Sequence, residues 1–562
     1  MNPVEFIIRC HEQTKHYFHR YARSAGELDW SNQPDPFRVY AGAPRVMLPL
    51  ATVDPSPAYE SLFSLDSPSV APVTLETISI FLECALGLSA WKSFKGSRWA
   101  LRCNPSSGNL HPTEGYVVLG AMLGLHDRPA VYHYAPAEHA LERRGELSEE
   151  GWRDGIAALP RGAFLVGLTS IAWREAWKYG ERALRYCQHD VGHAIGALRF
   201  SAASLGWSLH VLEAMSDEDV EILLGLDAVS WPRNSDREHA DLLAVVNPSG
   251  RRIVDCAGKC VLDCHALKPD RATWTGTPNV LSREALHWEL VYAAAEAWRK
   301  PRGAPAPLGP QDAPTARDHT RDEVYAAASA SRPARSSREI IRTRRSAVAF
   351  DGVAALPAEQ FFLMMHRLMP DPRRPPWDAL GPPTAIHLAL FVHRVTGLTP
   401  GLYALVRNPA DRASLSSSMR SDFAWTAPPG CPDELPLFFL LEGDARRAAT
   451  AVSCHQFIAG AGVFSLGMIA RFRDTLERLG AWAYRRFFWE AGLVGQTLYL
   501  EAEAAGLRGT GIGCYFDDAV HDVFGLTGDA WQSMYHFTIG GPVEDGRLTT
   551  EPAYPCRRAD LP

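Results

Sequence analysis

Lysine is scarce in this chain of 562 residues. Only seven of its 57 basic residues are lysines, all before Pro301, so a lysine in a suggestive position carries extra weight. Positive charge in excess is also missing. The net charge is −7, which gives no basic field for a nucleic-acid backbone and argues against that class of partner. Cysteines number eleven, too few for a disulfide scaffold and odd in count, so reduced thiols in a cytoplasmic protein are expected. The opening "MNPVEFIIRCHEQTKHYFHR" has no apolar h-region and no small-residue cleavage site. No run reaches the roughly 18 apolar residues of a membrane helix, so no membrane partner is expected. Neither a GxxxxGK[ST] loop nor a strand–GxGxxG–helix unit occurs, which leaves nucleotide-triphosphate chemistry without support. What remains is an ordinary globular composition, 46% hydrophobic and 22% charged, in a length that suits two to four domains or two large lobes.

Residues 1–74 carry Pro-rich and aromatic patches and read as an extension wrapping over the rest. Helical spacing from Leu75 to Leu88, a polar loop at Asn104–Asn109, strand-like "GYVVLGAMLGL" and helix-like Trp173–Leu212 make residues 75–300 a first lobe. Residues 301–337 are rich in Pro and Ala and read as a linker. Residues 338–562 form a second lobe. Its helix-like Ala481–Leu507, Gly-rich turn and "FDDAVHDVFGL" echo Tyr186–Leu226 of the first lobe, which ends "SDEDVEILLGL". That is a degenerate internal repeat at a spacing of about 300 residues, the mark of two copies of one ancestral lobe.

Three segments suggest a ligand. In "IIRTRRSAVAFDG", Arg342, Arg344 and Arg345 stand beside Ser346 and offer forked donors and a hydroxyl to a phosphate; a solvated basic turn is the bland alternative. In "LRCNPSSGNLHPTEGYVVL", Pro105-Ser106-Ser107-Gly108-Asn109 is a polar turn whose donors can line the edge of a heteroaromatic ring. It also reads as a plain hairpin or helix-start turn. In "GLRGTGIGCYFDD", Gly509, Gly511 and Gly513 let the backbone approach a flat ligand, and Asp517 or Asp518 is expected to cap the next helix.

In this order, "R..PSSGNLHP.E.Y", "KYGERALRY…D.GH" and "RRS…F" with "G.G….FDD" resemble the nitroreductase superfamily of flavoproteins, and within it the SagB-type (thiazole/oxazole-forming) dehydrogenases. The resemblance covers roughly Leu75–Pro301 and Arg338–Pro542. It implies an α+β fold, two nitroreductase-like α/β sandwich lobes fused as an intramolecular pseudo-dimer, and FMN bound between the lobes. The cofactor-binding residues it implies are Arg102, Pro105, Ser106, Ser107 and Asn109 from one lobe. From the other come Arg342, Arg344, Arg345, Ser346, Gly511, Ile512 and Gly513. Each lobe lacks the half that the other keeps. The first has "YESLFSLDSPSV" and "LGWSLHVLEAMSDED" where the arginines and glycines should stand, and the second has "LGPPTAIHLALFV" in place of the Ser-Ser-Gly turn. One composite FMN site per chain is therefore expected, in a monomer built as a pseudo-dimer or in a higher homo-oligomer.

By the same resemblance Lys178 and Tyr179 are the catalytic candidates, a base and a proton relay beside the flavin. Their second-lobe counterpart is read as Glu477-Arg478. A lysine on a solvated helix face is the alternative. His189 and His193 lie four apart, yet without a third ligand no metal is expected. Cys256, Cys260, Cys264 and His265 at four-residue spacing read as a small buried stripe, with zinc or a cluster as the sharper alternative. The leading function is an FMN-dependent dehydrogenase acting on a peptide-derived or small heterocyclic substrate in natural-product biosynthesis. An NAD(P)H-dependent nitro or enone reductase and a flavin-free peptide-binding pseudo-enzyme are the alternatives.

Overall fold

The computed structural model describes residues 2–64, 69–249, 262, 266–304 and 320–558. Cys256, Cys260, Cys264 and His265 lie outside the described residues.

Two antiparallel sheets share one strand order. In the first, Ala130–Ala135, Thr113–Leu119, Phe164–Ser170, His239–Asn247 and Ser208–Val211 lie side by side. In the second, Gly401–Leu405, Ile386–Val392, Phe464–Arg471, Trp531–Gly540 and Arg508–Ile512 repeat that order. Edge strands Arg45–Met47 and Ala140–Glu146 extend the first sheet to seven, and Leu437–Glu442 extends the second to six. Thr113–Leu119 and Ile386–Val392 are buried at every position. The mostly apolar Ile386–Val392 suits a strand covered on both faces, whereas Thr113–Leu119 also buries Glu114 against Arg174 at 2.5 Å.

A 22-residue helix backs each sheet, Ala183–Ser204 in the first lobe and Ala483–Ala504 in the second, and every residue of both is buried. They pack on each other where glycine meets glycine. A Cβ on Gly192 would stand 2.5 Å from Trp489 O, and one on Gly492 would stand 2.5 Å from His189 O and 2.6 Å from Gly192 Cα. The two contacts are related by the 300-residue spacing, so the crossing is pseudo-symmetric. The apolar core runs continuously through this crossing, from Val191, Ala194 and Leu198 to Leu493, Val494 and Leu498.

Several segments depart from the expectations. The helical stretch from Trp173 breaks at Gly180, at φ +54°, where a Cβ would strike Arg23 O at 2.3 Å, and it ends at Ser204 rather than Leu212. Leu209 and Val211 are instead in strand Ser208–Val211. Helix Thr320–Ala330 lies within the stretch read as a linker, with Tyr325 buried and stacked on His366 at 4.2 Å. Asp517 does not cap helix Asp517–Phe524. Its carboxylate accepts from Arg182 at 2.9 Å, Arg185 at 2.6 Å and the His16 N–H at 2.9 Å, because two buried guanidiniums need a counter-charge more than a helix end does. These bonds tie the N-terminal segment, the first lobe and the second lobe together. Helix Pro3–Gln13 lies on the second lobe, with His11 between Tyr484 OH and Gln532 Oε1, each at 3.1 Å.

Candidate active site between the lobes

A cavity of about 250 Å³ opens between the lobes. Pro105, Ser106, Ser107 and Gly108 form its first-lobe wall, with Tyr179, Tyr186, Asp190 and His193 behind them. Ser346, Gly511, Ile512, Gly513 and Cys514 form the second-lobe wall, with Tyr499 and Tyr535. Ser346 and the 511–514 segment, some 240 and 400 residues beyond the Pro105 turn, thus face that turn across one space.

The first-lobe loop is held by the central helix. The Ser107 N–H and Oγ–H both donate to Asp190 Oδ1, at 3.1 and 3.3 Å, and Ser106 Oγ accepts from the His111 N–H at 2.8 Å. Asp190 is buried and its Oδ2 has no partner among the described residues. Burial pushes its carboxyl up to about 7, against the opposing pull of the serine hydrogen bonds. Asn109 adopts φ +59° and turns its amide into the loop, donating to Ala100 O at 2.9 Å and meeting His111 Nε2 at 3.0 Å. Arg102 is not in the cavity wall; its guanidinium donates to Pro36 O at 2.6 Å and Thr113 O at 3.5 Å.

On the second-lobe side Tyr499 OH links the two halves of the wall. It accepts from the Gly511 N–H at 2.9 Å and shares a 2.8 Å hydrogen bond with Ser346 Oγ. Glycine is required here by contact. A Cβ on Gly511 would lie 1.9 Å from Tyr535 OH, and one on Gly513 would lie 2.1 Å from the Tyr186 ring. Behind Ser346 the arginines differ in partners. Arg342 reaches Glu83 at 3.6 Å. Arg344 donates to Cys103 O at 3.2 Å and Arg102 O at 2.9 Å, and so braces the chain entering the Pro105 loop. Among the described residues Arg345 donates to the carbonyls of Arg342, Arg344 and Ser89. Neither Arg344 nor Arg345 meets a carboxylate among the described residues. Burial and the neighbouring Arg344 bring the Arg345 guanidinium down to about 10, the signature of cations gathered without a counter-ion.

Lys178 and Tyr179 end helix Ala172–Tyr179 beside the loop. A Cβ on Gly108 would stand 2.7 Å from Tyr179 OH and 3.2 Å from Lys178 Nζ, so both reactive atoms adjoin the serine turn. One turn earlier lies Glu175, which the sequence reading missed. It is fully buried, neither of its oxygens has a partner among the described residues, and burial with the nearby Asp190 drives its carboxyl well above the usual range. Tyr186, Tyr499 and Tyr535 were missed as well, though Tyr186 and Asp190 stand in the quoted "ALRY…D" motif. His193 Nε2 meets Tyr535 OH at 3.2 Å, and His189 Nε2 meets Met534 O at 2.9 Å, so both histidines bond across the lobes.

The mirror position between the lobes is built otherwise. With helix and glycine ends aligned, Lys178-Tyr179 corresponds to Arg478-Leu479 and not to Glu477-Arg478, because Gly480 at φ +100° matches Gly180. By the same offset Glu213 stands for Gly513, Arg486 for Tyr186 and Glu490 for Asp190. Arg486 pairs with Glu213 at 2.7 Å and donates to Pro383 O at 2.7 Å. Glu490 accepts from the Ala385 N–H at 2.9 Å and from Arg407 at 2.5 Å. A larger space of about 370 Å³ lies here, lined by prolines, by the paired Arg407 and Glu490, and by Arg486, Asp411, Arg471 and Arg478.

The two lobes define a nitroreductase-like α+β fold. The model of the Nitroreductase family matches residues 69–233 and 430–541. A crystal structure of a protein from Anabaena variabilis, assigned to the nitroreductases, superposes on 96% of this chain and 99% of its own, with a TM-score of 0.67 and 20% identity. A Methanocaldococcus jannaschii protein assigned to the nitroreductases is 29% identical over 162 residues, 27% of this chain and 75% of its own length.

Proposed function

We propose that the chain is a nitroreductase-family oxidoreductase with one FMN in the cavity between its lobes, acting as a SagB-type dehydrogenase on a peptide-derived or small heterocyclic substrate. The observation that carries the reading is the cavity itself, because the motif halves retained by different lobes form its opposite walls. The donors fit the cofactor. Arg344 and Arg345 stand behind Ser346, outside the cavity wall, and bring cationic charge that meets no carboxylate among the described residues, as a phosphate monoester needs. Gly511 and Gly513 keep the second-lobe wall flat, and Ser106 and Ser107 present hydroxyls at the opposite edge. Bound flavin would accept or deliver a hydride. Lys178 Nζ is the base that takes a proton from the substrate, and Tyr179 OH relays it toward solvent. Asp190, with its carboxyl held near neutrality, keeps the serine turn in place through Oδ1 and holds a proton at Oδ2.

Anaerobic mixing of the FMN-loaded protein with a thiazoline- or oxazoline-containing peptide tests the reading. Loss of the oxidised-flavin absorbance with formation of the aromatic ring supports it. Fast bleaching by NAD(P)H and reoxidation by a nitroaromatic, without azoline oxidation, would make the protein a reductase. Failure to retain any flavin would return it to a binding scaffold.

A further inference from the structure

Cys514 directly follows Gly513 and lines the cavity. Its Sγ lies 2.8 Å from Cys454 Sγ, within hydrogen-bond reach and well outside the roughly 2.0 Å of a formed disulfide. The approach is built into the backbone. Cys454 and His455 adopt φ of +53° and +58°, two consecutive side-chain-bearing residues in the left-handed region that such residues avoid. Gln456 Nε2 donates to Cys514 O at 2.9 Å, and the Phe516 N–H donates to Val452 O at 2.8 Å, so both loops are latched with the sulfurs facing. Both thiols are half-buried and within reach of a small reagent.

The surroundings divide the pair into a nucleophile and a proton donor. His16 Nδ1 accepts from the Ala22 N–H at 2.8 Å, and its ring is one of the groups that lower the neighbouring Cys514 thiol. Arg182 adds positive charge and donates to Gly513 O at 3.3 Å. The Cys454 hydrogen bond is the largest influence on Cys514. With His16 and Arg182 it brings that thiol down, while the same bond and burial push Cys454 up.

We propose that Cys514 and Cys454 form a thiol–disulfide exchange site that reduces small-molecule disulfides at the edge of the cavity. The Cys514 thiolate attacks one sulfur of R–S–S–R, forming a Cys514–S–S–R mixed disulfide and expelling RS⁻. The Cys454 thiol gives up its proton to that thiolate, which leaves as RSH. The Cys454 sulfur then attacks Cys514 Sγ, forms the Cys454–Cys514 disulfide and releases the second RS⁻, protonated by water. The protein dithiol is oxidised by two electrons and the small disulfide is reduced by two. The site works whether or not flavin is bound.

The test uses oxidised glutathione on the full-length protein, pre-reduced and freed of reductant, at neutral pH with peptide mass spectrometry as the readout. The wild type should yield a Cys454–Cys514 cross-link and two equivalents of reduced glutathione per chain. Cys454→Ser should stop at a glutathione adduct on Cys514, formed at least about tenfold faster than on Cys431. That half-buried thiol is an internal reference, because burial pushes it up to about 12. Cys514→Ser should give no adduct on Cys454. The wild-type peptide map decides alone if a variant does not fold. Absence of the cross-link, or adducts spread equally over Cys431 and Cys514, would overturn the proposal.

Discussion

Three residues in and around the cavity make distinct predictions. Lys178→Ala should lower turnover of the true substrate by about 10²–10⁴, the range of a general acid–base group, while flavin content stays near wild type. Unchanged turnover would return Lys178 to a solvated helix face. Arg345→Ala removes a cation whose partners among the described residues are carbonyls, and FMN retention after dialysis should fall about 10- to 100-fold. Asp190 gives a pH signature. Its carboxyl sits near 7 in the fold against an ordinary 3.8, so below about pH 4 both folded and unfolded chains carry it neutral and the fold loses nothing. As the pH rises from 4 to 7 the unfolded chain sheds the proton first, and the folded chain becomes less stable by an amount approaching about 4 kcal/mol. Denaturant titrations should therefore show Asp190→Asn gaining about 2–3 kcal/mol on wild type between pH 5 and pH 8. Parallel pH profiles of the two proteins would contradict this. At this scale the polar turn and the glycines were legible, since unusual residue types in a row stand out. Glu175 and the tyrosines were not, because a buried acid in "REAWKY" looks like any helix-surface residue until its neighbours are known.

Among the elements, the crossing of Ala183–Ser204 and Ala483–Ala504 matters most, since it carries residues from both cavity walls. Alanine normally gains about 1 kcal/mol over glycine inside a helix. At Gly492 that gain is outweighed, because the new Cβ would meet backbone of the facing helix at 2.5 and 2.6 Å, and backbone cannot rotate aside. Gly492→Ala should cost about 1–3 kcal/mol, read as a lower unfolding midpoint with partial loss of flavin. A midpoint at or above wild type would show that the helices separate freely. Sequence periodicity found these helices but not their ends. Leu205–Leu212 continues the apolar spacing, and only Gly206 at φ +71° with the pairing of Ser208–Val211 to His239–Asn247 shows where the helix gives way to strand.

For the whole molecule, the repeated strand order and the shared core make two lobes that are one folding unit around an interface with two unequal halves. The 300-residue repeat was legible because "LLGL" and "VFGL" survive in register. The charge pairing of the mirror site was not, because Glu213 and Arg486 are ordinary residues whose 2.7 Å pairing exists only once the lobes meet. There Glu213 already holds Arg486 and Glu490 holds Arg407, so a phosphate would have to displace carboxylates from its donors. The most direct measurement is the ratio of FMN to polypeptide after saturation and gel filtration, read from released flavin. The account predicts a ratio near one, falling toward zero with either Ser107→Leu in the first lobe or Gly511→Val in the second. A ratio near two, or a ratio near one that survives both changes, would contradict a single composite site.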